Sequence, residues 1–205
     1  RIEHLAHHDA LTGLANRTLL ADRIGQAILA AGRGGKELAL CFLDLDYFKR
    51  INDSVGHSVG DQVLIEIARR LRICVRESDT LARIGGDEFV LLLGNLESSE
   101  DCLRVVDKAI AAVVEPIRLD SGTFSVTTSV GIAVWPHDGA DGETLMRNAD
   151  VAMYHAKNSG RNSFQFYSKE LTQHASERLS LETELRQALQ RDQLELYYQP
   201  KWDLV

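Results

Sequence analysis

No apolar run in this 205-residue chain approaches the roughly 20 residues that a membrane-spanning helix needs, and no signal peptide heads it. The chain therefore reads as a cytosolic, cytoplasmic domain. It starts at Arg1 without a methionine and stops mid-pattern at Val205, the outline of an excised piece, so a membrane anchor could lie outside it. An excess of basic residues is also lacking. Against 23 Lys and Arg stand 30 Asp and Glu, a net charge of −7, which argues against a broad nucleic-acid surface. Any phosphate-bearing ligand must then be met by local cations. Cysteine is scarce too: Cys41, Cys74 and Cys102 sit within apolar or helical patterns and form no Cys-x-x-Cys pair. That spacing favours buried free thiols in a reducing compartment over disulfides or zinc ligands.

What is present is an ordinary globular composition, 44% apolar and 26% charged, enough for one large domain or one domain plus part of another. An amphipathic helix is expected over 18–31, broken by the glycines of 32–35. The run 37–46 is almost continuously apolar, the pattern of a strand buried on both faces, yet it ends in Asp44-Leu-Asp46. Carboxylates at such a sheet edge stand where α/β proteins bind ligands, although Asp46 could equally cap the next turn. Residues 47–60 are too polar for core and too rich in donors and acceptors for a mere linker. Helices are expected over 61–75, 98–114 and 142–158, and strands over 117–119, 124–135 and 164–167. This alternation predicts an α/β fold, a mixed sheet covered by helices. From 168 the composition shifts to a charged helix over 176–191 and a strand over 194–200, read as a linker and the opening of a second domain.

The stretch Arg83-Ile-Gly-Gly-Asp-Glu-Phe89 organises the rest. Strands over 81–84 and 89–93 flank Gly85-Gly86, expected as a two-residue hairpin turn because glycine supplies the positive φ that tight turns demand. The tip then carries Asp87 and Glu88. Adjacent carboxylates beside side-chain-free glycines suit a metal site for a bulky anionic ligand such as a nucleotide. A solvated acidic turn has the same composition, so other residues must decide between the two.

Five blocks in order supply that context: Asp9-Ala-Leu-Thr-Gly-Leu-Ala-Asn-Arg17, Asp44-Leu-Asp-Tyr-Phe-Lys-Arg-Ile-Asn-Asp53, Gly56-His57 with Gly60-Asp61, the hairpin itself, and Tyr154-His-Ala-Lys-Asn-Ser-Gly-Arg-Asn162. Together they resemble the GGDEF family of diguanylate cyclases, over residues 1–167. The segment from Leu181 through Tyr197-Tyr-Gln-Pro-Lys201 looks like the start of an EAL cyclic-di-GMP phosphodiesterase domain, giving a linker over 168–192 and a truncated second domain over 193–205.

The resemblance implies a fold like that of adenylyl cyclases and polymerase palms, with a ferredoxin-like core and the signature on a central hairpin. It implies condensation of two GTP into cyclic di-GMP and two pyrophosphates, by a homodimer in which each site holds one substrate. Asp44 and Asp87, with the Leu45 carbonyl, would hold Mg²⁺ or Mn²⁺, two per site, and Glu88 would assist at the hydroxyl or the second metal. Lys49, Lys157 and Arg161 would bind phosphates, while Asn52 and Asp61 would read the guanine edge. Read singly, Lys157 and Arg161 could merely complement a helix dipole, and Asp61 could be a charge in a first helical turn. Arg76-Glu-Ser-Asp79 would form an inhibitory site for the product, Asp79 ordering the Arg76 guanidinium. An alternative from another class is a catalytically silent GTP-binding module that tunes a downstream EAL domain. A sensor upstream of Arg1 completes the expected partners, and nucleic acid is not among them.

Overall fold

The computed structural model describes residues 6–172, together with Ala188 and Tyr197. Apart from those two residues, the expected linker helix over 176–191 and strand over 194–200 lie outside the described residues.

Five strands form the main sheet: β1 (Glu37–Asp46), β2 (Thr80–Gly85), β3 (Glu88–Leu96), β6 (Thr127–Trp135) and β7 (Phe164–Phe166), in the order β2-β3-β1-β6-β7. All pairings are antiparallel except β6 with β7, which makes the sheet mixed. The first four have the arrangement of a ferredoxin-like βαββαβ unit. A separate hairpin, β4 (Ile117–Leu119) with β5 (Gly122–Phe124), stands beside it. The sequence pattern merged β5 with β6, but the ladder to β1 begins only at Thr127, and Val126 is buried between the two strands.

β1 is buried along its whole length after Glu37, and its alternation divides the core. Ala39, Cys41, Leu43 and Leu45 pack against α3 (His57–Cys74) and α4 (Leu103–Val114), while Leu38, Leu40 and Phe42 pack against α1 (Arg17–Gly34) and α5 (Gly142–Asn158). Side chains two apart share a face, so Asp44 and Asp46 continue the α1/α5 face at its end. The three cysteines are free and buried, as their apolar settings predicted.

Two local differences from the sequence reading have clear causes. α1 runs through the glycines of 32–34 and stops only at Gly35, whose left-handed backbone (φ 62°) returns its N–H to the Ala31 carbonyl. Residues 47–60 are not irregular: they form α2 (Phe48–Val55) and the first turn of α3, separated by Gly56 at φ 86°. Phe48 is the only buried side chain of α2, with Ile51 packed beside it, and over eight residues this apolar face is too short to stand out in a sequence pattern. Asp61 consequently lies in the second turn of α3, not the first, which removes the reading of it as an N-terminal charge.

Gly131 lets α5 approach the sheet: a Cβ there would come within 1.9 Å of the Ala149 carbonyl oxygen and 2.2 Å of the Met153 nitrogen. Both are backbone atoms of a helix and cannot yield alone. Gly131→Ala should therefore destabilise the fold by about 1–3 kcal/mol, the usual cost of overpacking. Chemical denaturation measures this, and an unchanged midpoint would contradict the close-approach argument.

Candidate active site

The end of β1 and the turn of the β2–β3 hairpin meet because β1 and β3 pair with Asp44 opposite Glu88. The Leu45 N–H also donates to the Asp87 carbonyl at 3.3 Å, docking the turn onto β1. Gly85 pairs with Glu88, so the two turn residues are Gly86 and Asp87, and the expected Gly85-Gly86 turn is displaced by one residue. A bulge between Arg83 and Gly85 causes the shift, and Gly86 adopts φ 51°. Asp87 thus occupies the tip, while Glu88 opens β3 beside Asp44.

The carboxylates crowd one another. Burial raises the Asp44 carboxyl above its ordinary range; the Lys157 ammonium, 2.8 Å from its Oδ1, opposes that rise and Asp87 adds to it. Glu88 is also raised, first by burial and then by the charges of Asp44, Asp150 and Asp87, with Arg17 opposing. Among the described residues no three His, Cys, Asp or Glu side chains form a ready metal cage. A buried carboxylate and a half-buried one that repel each other nevertheless fit a divalent cation such as Mg²⁺, which takes one or two carboxylates and completes its shell with water and phosphate oxygens. Lys157 lies in the last turn of α5, but its ammonium bonds Asp44 on another element, which the simple dipole reading of this residue does not explain.

Asp46 does something else. Its carboxylate accepts from the Thr127 hydroxyl at 2.7 Å, the Ser129 hydroxyl at 2.8 Å and the Asn162 N–H at 3.2 Å, and Arg161 Nε stands 4.0 Å away. It does not cap the following helix, whose first residue has no side-chain cap. Its burial ties β1, β6 and the 161–162 loop into one end wall.

Lys49 is exposed on α2 and forms no ion pair with a described residue. Asn52 packs against the start of α3: a Cβ on Gly60 would fall 1.9 Å from its Oδ1. That contact sets Asn52 beside the residue that precedes Asp61. Arg76 and Asp79 are arranged differently from the expectation. The Asp79 carboxylate accepts from the Arg76 backbone N–H at 3.1 Å, and the Asp79 N–H donates to the Arg76 carbonyl. The carboxylate closes the turn and, among the described residues, makes no ion pair with the Arg76 guanidinium. Asp79 lines a cleft of about 810 Å³ between α1, α3 and β2.

One set of contacts escaped the sequence reading. Arg83 donates through Nη1 to both oxygens of Asp9, at 2.9 and 3.0 Å, and through Nε and Nη2 to the Gly86 carbonyl at 3.0 and 2.7 Å. Asp9 also accepts from the Thr12 N–H and hydroxyl. The residues quoted for the resemblance contain both partners, but a contact spanning 74 positions has no local signal. Burial acts to raise the Asp9 carboxyl, and the Thr12 and Arg83 contacts outweigh it and hold the carboxyl below its ordinary value.

A carboxyl whose folded pKa is depressed stabilises the fold above its unfolded pKa, and that contribution is lost as pH falls through the folded value. Asp9→Asn should therefore lower stability at neutral pH by about 1.5–3 kcal/mol, the range for a hydrogen bond to a charged group. The deficit should shrink below pH ~4, where the wild-type carboxyl also protonates. Equal thermal midpoints at pH 7 would refute the clamp.

This combination of a mixed, ferredoxin-like sheet with carboxylates and a cation gathered at one sheet end defines a palm-type domain. The chain belongs to the GGDEF diguanylate cyclase family: the family model described as "Diguanylate cyclase, GGDEF domain" matches residues 6–163. It is 48% identical over 197 residues to the bifunctional diguanylate cyclase/cyclic di-GMP phosphodiesterase MucR of Pseudomonas aeruginosa, covering 96% of this chain and 29% of MucR. It is 44% identical over 199 residues to the cyclic di-GMP phosphodiesterase NbdA of the same organism, covering 97% of this chain and 25% of NbdA. The chain thus spans less than a third of these curated relatives. A solved structure of the GGDEF domain of TpbB from P. aeruginosa superposes with a TM-score of 0.80 at 43% identity, over 83% of this chain and 99% of that one. No helix among the described residues is long and apolar enough to cross a membrane.

Proposed function

We propose that this chain condenses two GTP into cyclic di-GMP, releasing two pyrophosphates. The observation that carries the reading is the meeting of Asp44, Asp87 and Glu88 at one sheet end with Lys157 bonded to Asp44. Each 3′-hydroxyl attacks the α-phosphorus of the other nucleotide, forming a new P–O bond as the bond to pyrophosphate breaks. Asp44, Asp87 and the Leu45 carbonyl would hold Mg²⁺ or Mn²⁺, two per site. Bound there, such cations lower the pKa of the attacking hydroxyl and neutralise charge on the departing pyrophosphate.

The side chains divide the remaining work. Lys49, Lys157 and Arg161 meet the phosphates, answering locally the need left by a net charge of −7. Lys157 spans both tasks, since its ammonium already neutralises Asp44. Glu88 assists at the hydroxyl, and its raised pKa brings it closer to the operating pH of a proton acceptor. Asn52 and Asp61 read the guanine edge: a carboxylate accepts from N1–H and the 2-amino group, a donor pair that adenine lacks. Each site holds one of the two substrates, so catalysis requires a homodimer. In the intact protein a sensor precedes this domain, and a linker over 168–192 leads to an EAL domain opening at 193–205.

Turnover of GTP across a protein dilution series, with the product identified chromatographically, tests this. Specific activity should rise with protein concentration, because dimerisation is a mass-action step. Asp87→Asn should form no product while its thermal midpoint stays within about 1 °C of wild type, being nearly isosteric on an unstrained turn. Product formation at the wild-type rate by that variant would sink the site. The name of NbdA favours a second reading, a GTP-binding module that regulates a phosphodiesterase. Tight GTP binding with no product at any concentration would select it.

Product inhibition would act through Arg76, whose planar donor fork suits phosphate and base better than an ammonium does. Asp79 shapes that turn through the Arg76 backbone, so it serves the site by presentation rather than by gripping the guanidinium. Arg76→Ala should relieve inhibition by cyclic di-GMP while turnover persists, and Arg76→Lys should restore it only partly. Identical inhibition curves for wild type and Arg76→Ala would remove the inhibitory site from this reading.

A further inference from the structure

Tyr47 is an unusual residue in an unusual place. It links the end of β1 to α2 in the left-handed conformation, φ 58° and ψ 19°, which a bulky aromatic rarely adopts. Half of its surface remains exposed, so core burial does not explain the strain. Two guanidiniums lie over its ring instead: Arg50, 4.2 Å from the centroid, and Arg161, 4.5 Å from it. The Tyr47 carbonyl accepts from the Arg50 N–H at 2.8 Å, which fixes the ring's backbone to the same helix as Lys49.

Arg161 is held from its own side as well. It and Asn162 also adopt positive φ, 64° and 45°, and the Asn162 N–H bonds the Asp46 carboxylate next to Tyr47. Two loops with left-handed backbones, one on β1 and one after α5, thus meet with a cation from the second stacked on an aromatic from the first. An arginine side chain freed from such a ring has many rotamers, and two neighbouring cations with no shared π-face repel one another.

We infer that Tyr47 is a positioning residue, its ring presenting the Arg161 guanidinium to a nucleotide triphosphate. This deepens the function proposed above and rests on Arg161 as a phosphate ligand. Tyr47 contributes its π-face alone, since its hydroxyl makes no hydrogen bond to a described residue.

Tyr47→Asn separates positioning from mere structure. Asparagine tolerates the left-handed backbone that tyrosine strains to adopt, so the variant should fold with a thermal midpoint equal to or above wild type. Its affinity for a non-hydrolysable GTP analogue with Mg²⁺, measured by calorimetry, should fall about three- to tenfold, the range of a partly desolvated cation–π contact. Tyr47→Phe should bind within about twofold of wild type, because the ring is kept. In an Arg161→Ala background, Tyr47→Asn should have no further effect, as two residues acting through one contact are not additive.

Additive losses in the double variant, or wild-type affinity in Tyr47→Asn, would overturn the inference while leaving the proposed function in place. Wild-type affinity in Arg161→Ala would overturn it together with the phosphate role of Arg161. A fall in midpoint with unchanged affinity would show that the ring serves only the fold.

Discussion

The register of β1 against β3 is the constraint on which everything else in this molecule depends. Pairing Asp44 with Glu88 brings two stretches 44 positions apart onto one sheet end, and the Leu45–Asp87 hydrogen bond carries the turn with it. A slip of one residue would turn every side chain of a strand to the other face, exchanging Asp44 for a leucine at the site and driving the acid into the core. Burial on both faces forbids that slip, because the alternating sets of β1 each fill a different core. The hydrophobic interior therefore positions the chemistry, although no apolar side chain takes part in it.

Charge at that end is assembled at the expense of stability. Asp44 and Glu88 have carboxyls raised above their ordinary values, so in the neutral range each favours the unfolded chain, where its charge is solvated. Lys157 offsets this at Asp44 alone. Asp46, by contrast, has its oxygens met by two hydroxyls and a backbone N–H, with Arg161 4.0 Å away, and these contacts hold the wall together. Two acids that differ by one intervening leucine thus serve opposite ends: one is satisfied and structural, the other is left with a demand that a ligand can meet.

How much of this could be read from residues alone follows from the range of the forces involved. β1 and α5 have the bounds that their patterns predicted, because continuous burial and a helical stripe are local signals. The turn was misplaced by one residue because a bulge depends on the partner strand, and Gly85-Gly86-Asp87 offers two adjacent positions for it. α2 was invisible because it is only eight residues long and most of them are exposed to solvent, which leaves a short apolar face. Asp46 and Asp79 both looked like partners for side chains or caps close in sequence. Asp46 instead bonds residues more than 80 positions away, and Asp79 bonds a backbone amide that composition cannot reveal.

The Arg83 clamp shows where long-range organisation enters. β2 is the edge strand of the sheet, and an exposed edge is normally a hazard. Here the segment before α1 covers part of it: Ala15 bridges Ala82, and the Arg83 N–H donates to the Ala15 carbonyl at 2.9 Å. The Arg83 side chain then joins Asp9 of that segment to the carbonyl of Gly86, the residue immediately before Asp87. A planar guanidinium can satisfy a carboxylate and a carbonyl at once in fixed directions, which a lysine ammonium cannot. The tip is therefore held from two sides, by β1 through Leu45 and by the segment preceding α1 through Arg83. Any displacement of that segment has a direct covalent and hydrogen-bonded route to the acid at the tip, and a two-residue turn leaves little slack to absorb it.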